Sequence, residues 1–523
     1  MKKLLCFTLS LCLLLPTLFL TSCKKEETLE LNVYNWEDYI ACDDYDMVAE
    51  FENYYYETYG QKVVVNYSTF GTNENMYNEL KLTQKKDGTY SYDLVCPSEY
   101  MIQKMITEDM LETFDYSKVP NYENNVANYI KDLFDKNDWN DYALCFNWGT
   151  MGFTYNPEID SLKEDVKSWS VVTNEKYKNK ITIKDSVRDS YVLALGYVNG
   201  NKLLNLDKDA QNYNEQVHSL LNDFSDEAIE KSRVFLSDLR QNLYGFEVDS
   251  GKQDMATGKI WINFAWSGDA VYAMDIAEEE GTYLEYAVPK EGSNIFFDGW
   301  VMPKGANKEL AQIFLNFMYR EDNAKENLAY ICYSSPIVGE EIFSFVCDTY
   351  GLTTFTEVDY ESDYLLGGKY YDYVYVGNMS DFNGQSTYSV AYYDESEEEI
   401  VTEEVEVFGF SVKHFFEDSI EGDGIIYTDS LDRQLVAMYP TRETMNRCVV
   451  MEHLETETLK KLNNMWDSVK VGYMPYYVMI LIVVGIILIS AGVVVIIVLK
   501  KKGIVLAKKK KDYGVLVNSE KIN

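Results

Sequence analysis

The sequence predicts an α/β protein with two domains, and three observations lead to this expectation. Short apolar runs alternate with helical patterns, which is the order found in parallel, doubly wound sheets. The chain has 523 residues, more than one hydrophobic core usually serves. Apolar segments at the two ends have the flanks of targeting and membrane segments, so the folded part lies between them.

The first segment is predicted to be a signal peptide over residues 1–22. A basic pair at residues 2 and 3 precedes an apolar run over residues 4–20, which is too short for a spanning helix. The motif Leu-Thr-Ser-Cys that ends at Cys23 resembles the lipobox of bacterial lipoproteins. This resemblance implies a lipid on Cys23, and an ordinary cleavage site is the alternative.

The next residues alternate strand and helix patterns. Residues 29–33 have the period of a strand, and Asp43 or Asp44 then caps a helix that Gly60 ends. The apolar face of that helix is Met47, Phe51, Tyr55 and Tyr59. Further strands are expected at residues 62–67, 92–96, 181–183, 260–264 and 284–288. Further helices are expected at residues 75–82, 98–110, 310–318 and within 444–469.

Residues 352–429 break this alternation and are predicted to be an acidic insertion. An acidic run covers residues 394–399, while residues 370–376 and 401–408 alternate like antiparallel strands. A partly disordered acidic loop is the alternative reading.

Residues 477–499 are predicted to be a transmembrane helix. The stretch is apolar and uncharged, and about 20 residues suffice to cross a bilayer. Lysines at 500–502 and 508–511 follow it, so the positive-inside rule places the basic tail, residues 500–523, in the cytoplasm. The large acidic part is then expected outside the cell membrane.

Composition restricts the function further. The chain has 47 basic and 85 acidic residues, with a net charge of −38, which argues against nucleic acid as a partner and suits a cationic ligand. A solvated acidic surface is the other reading. Phosphate-loop, nucleophile-elbow and paired-cysteine motifs are absent from the sequence. We therefore expect no enzymatic activity, no cofactor and no metal site.

Ligands of open α/β sheets lie beyond the carboxyl ends of the strands. The residues that follow the predicted strands are rich in aromatic and carboxylate side chains. They are residues 36–39, 98–100, 185–189, Trp266 and, after a short loop, 296–298.

Several sequence phrases resemble the bacterial spermidine/putrescine-binding proteins of ABC importers. The phrases occur in order between Leu31 and Lys470, outside the insertion. They are Val-Tyr-Asn-Trp-Glu-Asp-Tyr at 33–39, Tyr-Ser-Thr-Phe at 67–70 with Asn-Glu-Asn-Met-Tyr at 73–77, Tyr-Asp-Leu-Val-Cys-Pro-Ser-Glu-Tyr at 92–100, Trp-Ser-Gly-Asp at 266–269, Phe-Asp-Gly-Trp at 297–300 and Tyr-Ser-Ser-Pro at 333–336.

The resemblance implies a clamp of two lobes with the ligand in the cleft, and delivery of that ligand to permease subunits. We expect residues 23–142 and 299–335 to form the first lobe, and residues 143–298 and 336–470 the second. The ligand-binding positions that it implies are Trp36, Glu37, Asp38, Tyr39, Ser98, Tyr100, Asp185, Asp189, Trp266, Phe296, Asp298 and Tyr333.

Three of the family's positions differ here. Glu37 replaces a threonine, Ser186 an aspartate and Phe296 a tryptophan. A polyamine has ammonium groups that need carboxylates and methylenes that need apolar walls. The shifted carboxylates favour spermidine over putrescine, with Asp298 at one end of the ligand and Asp185 and Asp189 at the other.

Each residue also has an ordinary structural reading. The aromatic residues can be core, Asp298 a turn residue, and Asp185 and Asp189 a helix cap and a first-turn acid. Other functions that remain open are a binding protein for another solute, a surface adhesin that uses the insertion, and an extracellular enzyme with a carboxylate pair.

Overall fold

The computed structural model describes residues 28–350, 385–394, 399–411, 413–416, 425–428, 433–471 and 484. The chain divides into two compact units, Met1–Trp466 and Asp467–Asn523. The first unit contains all the elements below except the end of the last helix. The predicted signal peptide, Cys23, the basic tail and all of the predicted transmembrane helix but Val484 lie outside the described residues. No helix in the part that is described is both long and apolar enough to cross a membrane.

The secondary structure alternates as expected over most of the chain. The strands are β1 Leu29–Trp36, β2 Val63–Phe70, β3 Leu94–Val95, β4 Leu111–Glu112, β5 Ala143–Tyr155, β6 Ile181–Lys184, β7 Gly245–Glu247, β8 Ile262–Trp266, β9 Glu285–Ala287, β10 Ser293–Pro303, β11 Gln385–Asp394, β12 Glu399–Ser411, β13 Ile425–Thr428 and β14 Cys448–Val449.

The helices connect these strands. They are α1 Met47–Tyr59, α2 Asn73–Thr83, α3 Glu99–Thr107, α4 Pro120–Asn125, α5 Asn128–Lys136, α6 Leu162–Asp165, α7 Val187–Val198, α8 Gly200–Leu204, α9 Tyr213–Leu221, α10 Asp226–Leu239, α11 Gly251–Ala256, α12 Ser267–Glu279, α13 Lys308–Met318, α14 Glu321–Ile331, α15 Glu340–Thr349, α16 Lys413–Phe416, α17 Arg433–Met438, α18 Arg442–Asn446 and α19 Thr456–Val471.

The main sheet is mixed, so the prediction of a parallel, doubly wound sheet holds for its outer strands and not for its central pair. Its strand order is β2-β1-β3-β10-β5-β8-β6-β7. β1 is parallel to β2 and β3, and β6 is parallel to β7 and β8. The long strands β5 and β10 run antiparallel to each other and to their outer neighbours. Both long strands are buried throughout, and they join the two parallel halves of the sheet.

Helix α1 shows how the local sequence defines an element. Its cap is Asp46, which accepts hydrogen bonds from two backbone N–H groups, and not the predicted Asp43 or Asp44. Gly60 ends the helix as expected, at a positive φ of 68° that glycine adopts without strain. Met47, Phe51 and Tyr55 are buried, and Tyr59, whose ring contacts that of Tyr55 on the same face, is exposed.

The insertion contains an antiparallel sheet of β11, β12 and β13. The predicted strand at 401–408 lies within β12, and the one at 370–376 lies outside the described residues. Helix α16 is part of the insertion, and its Phe415 and Phe416 side chains are buried. Phe415 stacks on Trp148 with ring centroids 4.5 Å apart, and Phe416 packs on Tyr439. This part of the insertion therefore belongs to the core.

Candidate functional site

One cavity of about 430 Å³ collects all twelve predicted ligand-binding residues. It lies where several strands end, because Trp36, Ser98, Asp185 and Trp266 stand at or just after the carboxyl ends of β1, β3, β6 and β8. Phe296 and Asp298 lie inside β10 rather than after a strand, which the sequence did not predict. Eleven carboxyl groups and two lysines line the cavity, so its wall has a strong negative charge.

Asp298 is held in the wall by two hydroxyl groups. It lies in β10 where the pairing with β5 shifts register after Asp298. Tyr39 donates a hydrogen bond of 2.7 Å to Oδ2, and Ser98 donates one of 2.7 Å to Oδ1. Ser98 stands at the N-cap position of α3 but makes no capping hydrogen bond with its side chain. Its hydroxyl donates to the Asp298 carboxylate instead.

The charge of Asp298 has no cation of the protein beside it. The side chain is 5% exposed, and no lysine, arginine or histidine nitrogen of the described chain lies within 4.0 Å of it. Burial, with a smaller contribution from the charge of Asp189, raises the pKa of Asp298 to about 6, although the two hydroxyl hydrogen bonds lower it. A buried carboxylate of this kind favours either a proton or a cationic partner.

Asp189 is the second buried carboxylate, on the first turn of α7. Ser186 caps this helix by accepting a hydrogen bond from the Asp189 backbone N–H, so Asp185 is not the cap. Burial raises the pKa of Asp189 to about 6. The placement of Asp185 and Asp189 at the end of the ligand opposite Asp298 remains a prediction.

Aromatic rings form the apolar part of the cavity. The rings of Tyr39 and Tyr333 meet edge to face with centroids 4.8 Å apart, and Phe296 lies 6.2 Å from Tyr333. The Tyr333 hydroxyl donates to Asp269 Oδ1 at 2.9 Å. A Cβ on Gly268 would lie 2.1 Å from the Tyr333 ring, so this ring position requires glycine in the Trp-Ser-Gly-Asp phrase.

Lys184 is a cavity residue that the sequence analysis did not identify. Its side chain is 1% exposed and its Nζ lies 2.9 Å from Asp269 Oδ2 and 3.2 Å from Glu247 Oε1. The same ammonium lies 4.1 Å from the centroid of the Trp266 ring. The carboxylates of Asp269 and Glu247 raise the pKa of Lys184 despite its burial. The one member of this cluster that appeared in a recognised sequence phrase is Asp269, which follows Trp-Ser-Gly.

Other lining residues were also missed. Asn294 Oδ1 is buried and has no hydrogen-bond partner among the residues that the structure describes, so it can accept from a ligand. Glu99 is buried and accepts from the backbone N–H groups of Phe297 and Met451. Burial raises the pKa of Glu99 to about 8, which keeps it mostly protonated at neutral pH.

The mouth of the cavity differs from its interior. Glu37 and Asp38 are exposed, and Asp185 is half-buried. Tyr100, by contrast, is buried, with the Arg188 guanidinium 4.3 Å above its ring.

No group of three or more metal-ligating side chains is placed to hold a metal ion within the described ranges. Cys96, Cys145, Cys332 and Cys448 are buried and form no disulfide bond, and Cys42, also free, is exposed.

Comparisons with known proteins agree with this fold. Residues 46–338 match the family described as bacterial extracellular solute-binding protein. The spermidine/putrescine-binding periplasmic protein of Salmonella typhimurium is 32% identical over 310 residues, which are 58% of this chain and 77% of that protein. The putrescine-binding periplasmic protein PotF of Escherichia coli is 30% identical over 336 residues, with 60% and 82% covered.

Two solved structures extend the comparison. The spermidine/putrescine ABC transporter substrate-binding protein PotD from Streptococcus pneumoniae has a TM-score of 0.50 and 25% identity, and the match covers 84% of this chain and 98% of that one. A protein from Listeria monocytogenes has a TM-score of 0.55 and 23% identity, covering 84% and 99%, and shows the same fold.

Proposed function

The chain belongs to the bacterial extracellular solute-binding protein family, and we propose that it captures polyamines outside the cell and delivers them to an ABC importer. The observation that carries the proposal is Asp298, a buried carboxylate in the cavity wall without a cation beside it among the residues that the structure describes. An ammonium group of a ligand supplies the missing charge, and the hydroxyls of Tyr39 and Ser98 hold the carboxylate in position to receive it.

The rest of the cavity fits the rest of such a ligand. Methylene groups pack against the rings of Tyr39, Phe296 and Tyr333, whose faces also attract cations by ~0.5–2 kcal/mol each. Asp189 supplies a second buried carboxylate. The relatives named as polyamine-binding proteins support the same ligand class. The predicted lobes, residues 23–142 with 299–335 and residues 143–298 with 336–470, remain the proposed halves of the clamp.

The test is a thermal-shift and calorimetry panel on the purified full chain. Putrescine and spermidine should stabilise it, by about 2.7 kcal/mol at about 100 times the dissociation constant. Glucose, glutamate and ferric citrate should not. Asp298→Asn, which removes the charge and nearly keeps the shape, should lose most of the affinity, since an unpaired buried ammonium costs ~3–5 kcal/mol.

Asp93 offers a matched control outside the cavity. It is a buried aspartate whose carboxylate accepts from backbone N–H groups of Asn32 and Asn307. Asp93→Asn should lower stability and leave polyamine affinity unchanged. If no polyamine shifts the melting curve at millimolar concentration, the proposed function is wrong.

We further propose that the chain is held at the membrane by a lipid on Cys23 and by a helix over residues 477–499. The lipobox-like motif and the lysines after the apolar stretch support this proposal. External protease on intact cells should digest the acidic part and spare a tag after Asn523. Loss of that tag would show that the orientation is wrong.

A further inference from the structure

The cavity already contains a buried ammonium group that belongs to the protein, on Lys184. The Lys184 Nζ lies 2.9 Å from Asp269 Oδ2 and 3.2 Å from Glu247 Oε1, and it donates to the Val248 carbonyl oxygen at 2.6 Å. The same group lies on the face of the Trp266 ring. Carboxylates and an aromatic face are the partners that a ligand ammonium would need. At this end of the cavity, those partners are already occupied.

One pair of rings connects two buried carboxylates of the cavity wall. Tyr39 donates to Asp298, and Tyr333 donates to Asp269, with the two rings in edge-to-face contact. The Asp298 carboxylate has no cation of the described chain within 4.0 Å, whereas Asp269 has Lys184 at 2.9 Å and Lys252 at 3.9 Å. Of these two buried carboxylates, Asp298 is therefore the one that lacks a counter-charge for a ligand ammonium to replace.

We propose that Lys184 limits the number of ammonium groups that the cavity accepts, so that a diamine binds more tightly than a triamine. The inference rests on the proposed function. A third ammonium would either approach Lys184, where like charges repel and Asp269 and Glu247 are already paired, or stay beside the exposed carboxylates of Glu37 and Asp38, where an ion pair contributes little. This order reverses the preference for spermidine expected from Glu37 and Ser186, because that argument counted no cation of the protein.

Removal of Lys184 should create a third ammonium site. Lys184→Ala leaves Asp269 and Glu247 beside the Trp266 ring with a space where the lysine side chain was. An ammonium of a longer ligand can then take the place of the missing Nζ. The variant should therefore gain affinity for spermidine relative to putrescine, and a simple alkylamine such as butylamine should raise its melting temperature more than that of the unmodified chain.

Calorimetric titration of the full chain with putrescine and with spermidine, at one ionic strength, tests the inference. The unmodified chain should bind putrescine about tenfold or more tightly than spermidine, and Lys184→Ala should shift this ratio toward spermidine by about tenfold or more. Lys180→Ala is the matched control, since its ammonium lies over the Trp261 ring at 5.1 Å and outside the cavity. That control should keep the ratio of the unmodified chain.

The outcomes separate the two proposals. Tighter binding of spermidine by the unmodified chain would overturn the inference and leave the proposed function standing, whereas binding of neither amine would overturn the proposed function. An unchanged ratio in folded Lys184→Ala would also overturn the inference. Should that variant not fold, Lys184→Met with Glu247→Gln removes one charge of each sign and keeps Asp269. It must shift the ratio in the same direction.

Discussion

The carboxylates of Asp298 and Asp269 receive hydrogen bonds from the two members of one tyrosine pair, yet in the described part of the chain only Asp269 has a lysine beside it. The difference defines the chemistry of the cavity. Asp269 forms an ion pair with Lys184, whereas Asp298 forms none within the described residues. Four expectations follow from this asymmetry and from the packing around it.

Asp298→Asn should stabilise the ligand-free chain at pH 7.5 while it removes polyamine binding. Burial raises the pKa of Asp298 from 3.8 to about 6, so its charged form destabilises the fold. The cost is absent below about pH 4, grows as pH rises and is complete above about pH 6, where it reaches about 2–3 kcal/mol. Denaturant unfolding at pH 7.5 and pH 5 should show a larger gain at pH 7.5. A variant that is less stable than the unmodified chain at both values would contradict this.

Polyamine affinity should fall as the medium is acidified. Asp298 and Asp189 both have pKa values of about 6, and a cationic ligand binds their charged forms. Binding therefore expels protons near pH 6, and affinity should drop about tenfold or more between pH 7.5 and pH 5. Titrations in buffers of different ionisation heat measure the protons released. Asp189→Asn should flatten the profile, and a pH-independent affinity in the unmodified chain would refute the coupling.

Gly268→Ala should damage the site through the ring of Tyr333. The added Cβ would lie 2.1 Å from that ring, so the ring must move and its hydrogen bond to Asp269 must break or lengthen. Overpacking of this kind costs about 1–3 kcal/mol, and we expect it in the binding free energy as well as in stability. Gly245→Ala is the control, because nothing lies within 4 Å of its Cβ. Equal affinities of the two variants would show that Tyr333 does not shape the site.

Phe415→Ala should destabilise the chain without changing polyamine affinity. Phe415 is 4% exposed and stacks on Trp148, and loss of a buried phenylalanine costs about 3–5 kcal/mol. None of the predicted ligand-binding residues lies in the insertion, and neither ring lines the cavity. Thermal unfolding and calorimetry measure the two effects separately. A loss of affinity at a temperature where the variant is folded would show that the insertion shapes the cavity.

Local sequence predicted part of the cavity lining, since the ends of β1, β3, β6 and β8 are marked by apolar runs followed by aromatic and acidic residues. Tyr333 was expected only from the family resemblance. Strand direction was not predictable in the same way. β5 and β10 are buried along their whole length, so their sequences carry no alternation, and nothing local tells an antiparallel strand from a parallel one.

Lys184 was missed for a different reason. It stands at the end of β6, and its partners Glu247 and Asp269 lie on β7 and at the start of α12. An ion pair between distant positions leaves no local pattern, whereas a cap or a strand does. The N-cap of α1 was also mispredicted. Several neighbouring aspartates can cap the helix, and only the backbone geometry selects Asp46.

The contrast between the exposed carboxylates at the mouth and the buried ones inside has a kinetic consequence. An approaching cation first meets Glu37 and Asp38, which remain hydrated, and loses its own water only when it reaches Asp298. Long-range attraction by hydrated charges speeds encounter and is weakened by dissolved salt, whereas contacts made after dehydration determine how long the complex lasts. Under the proposed function, we therefore expect the mouth to set how quickly a scarce solute is collected from dilute surroundings, and the interior to set how long it stays.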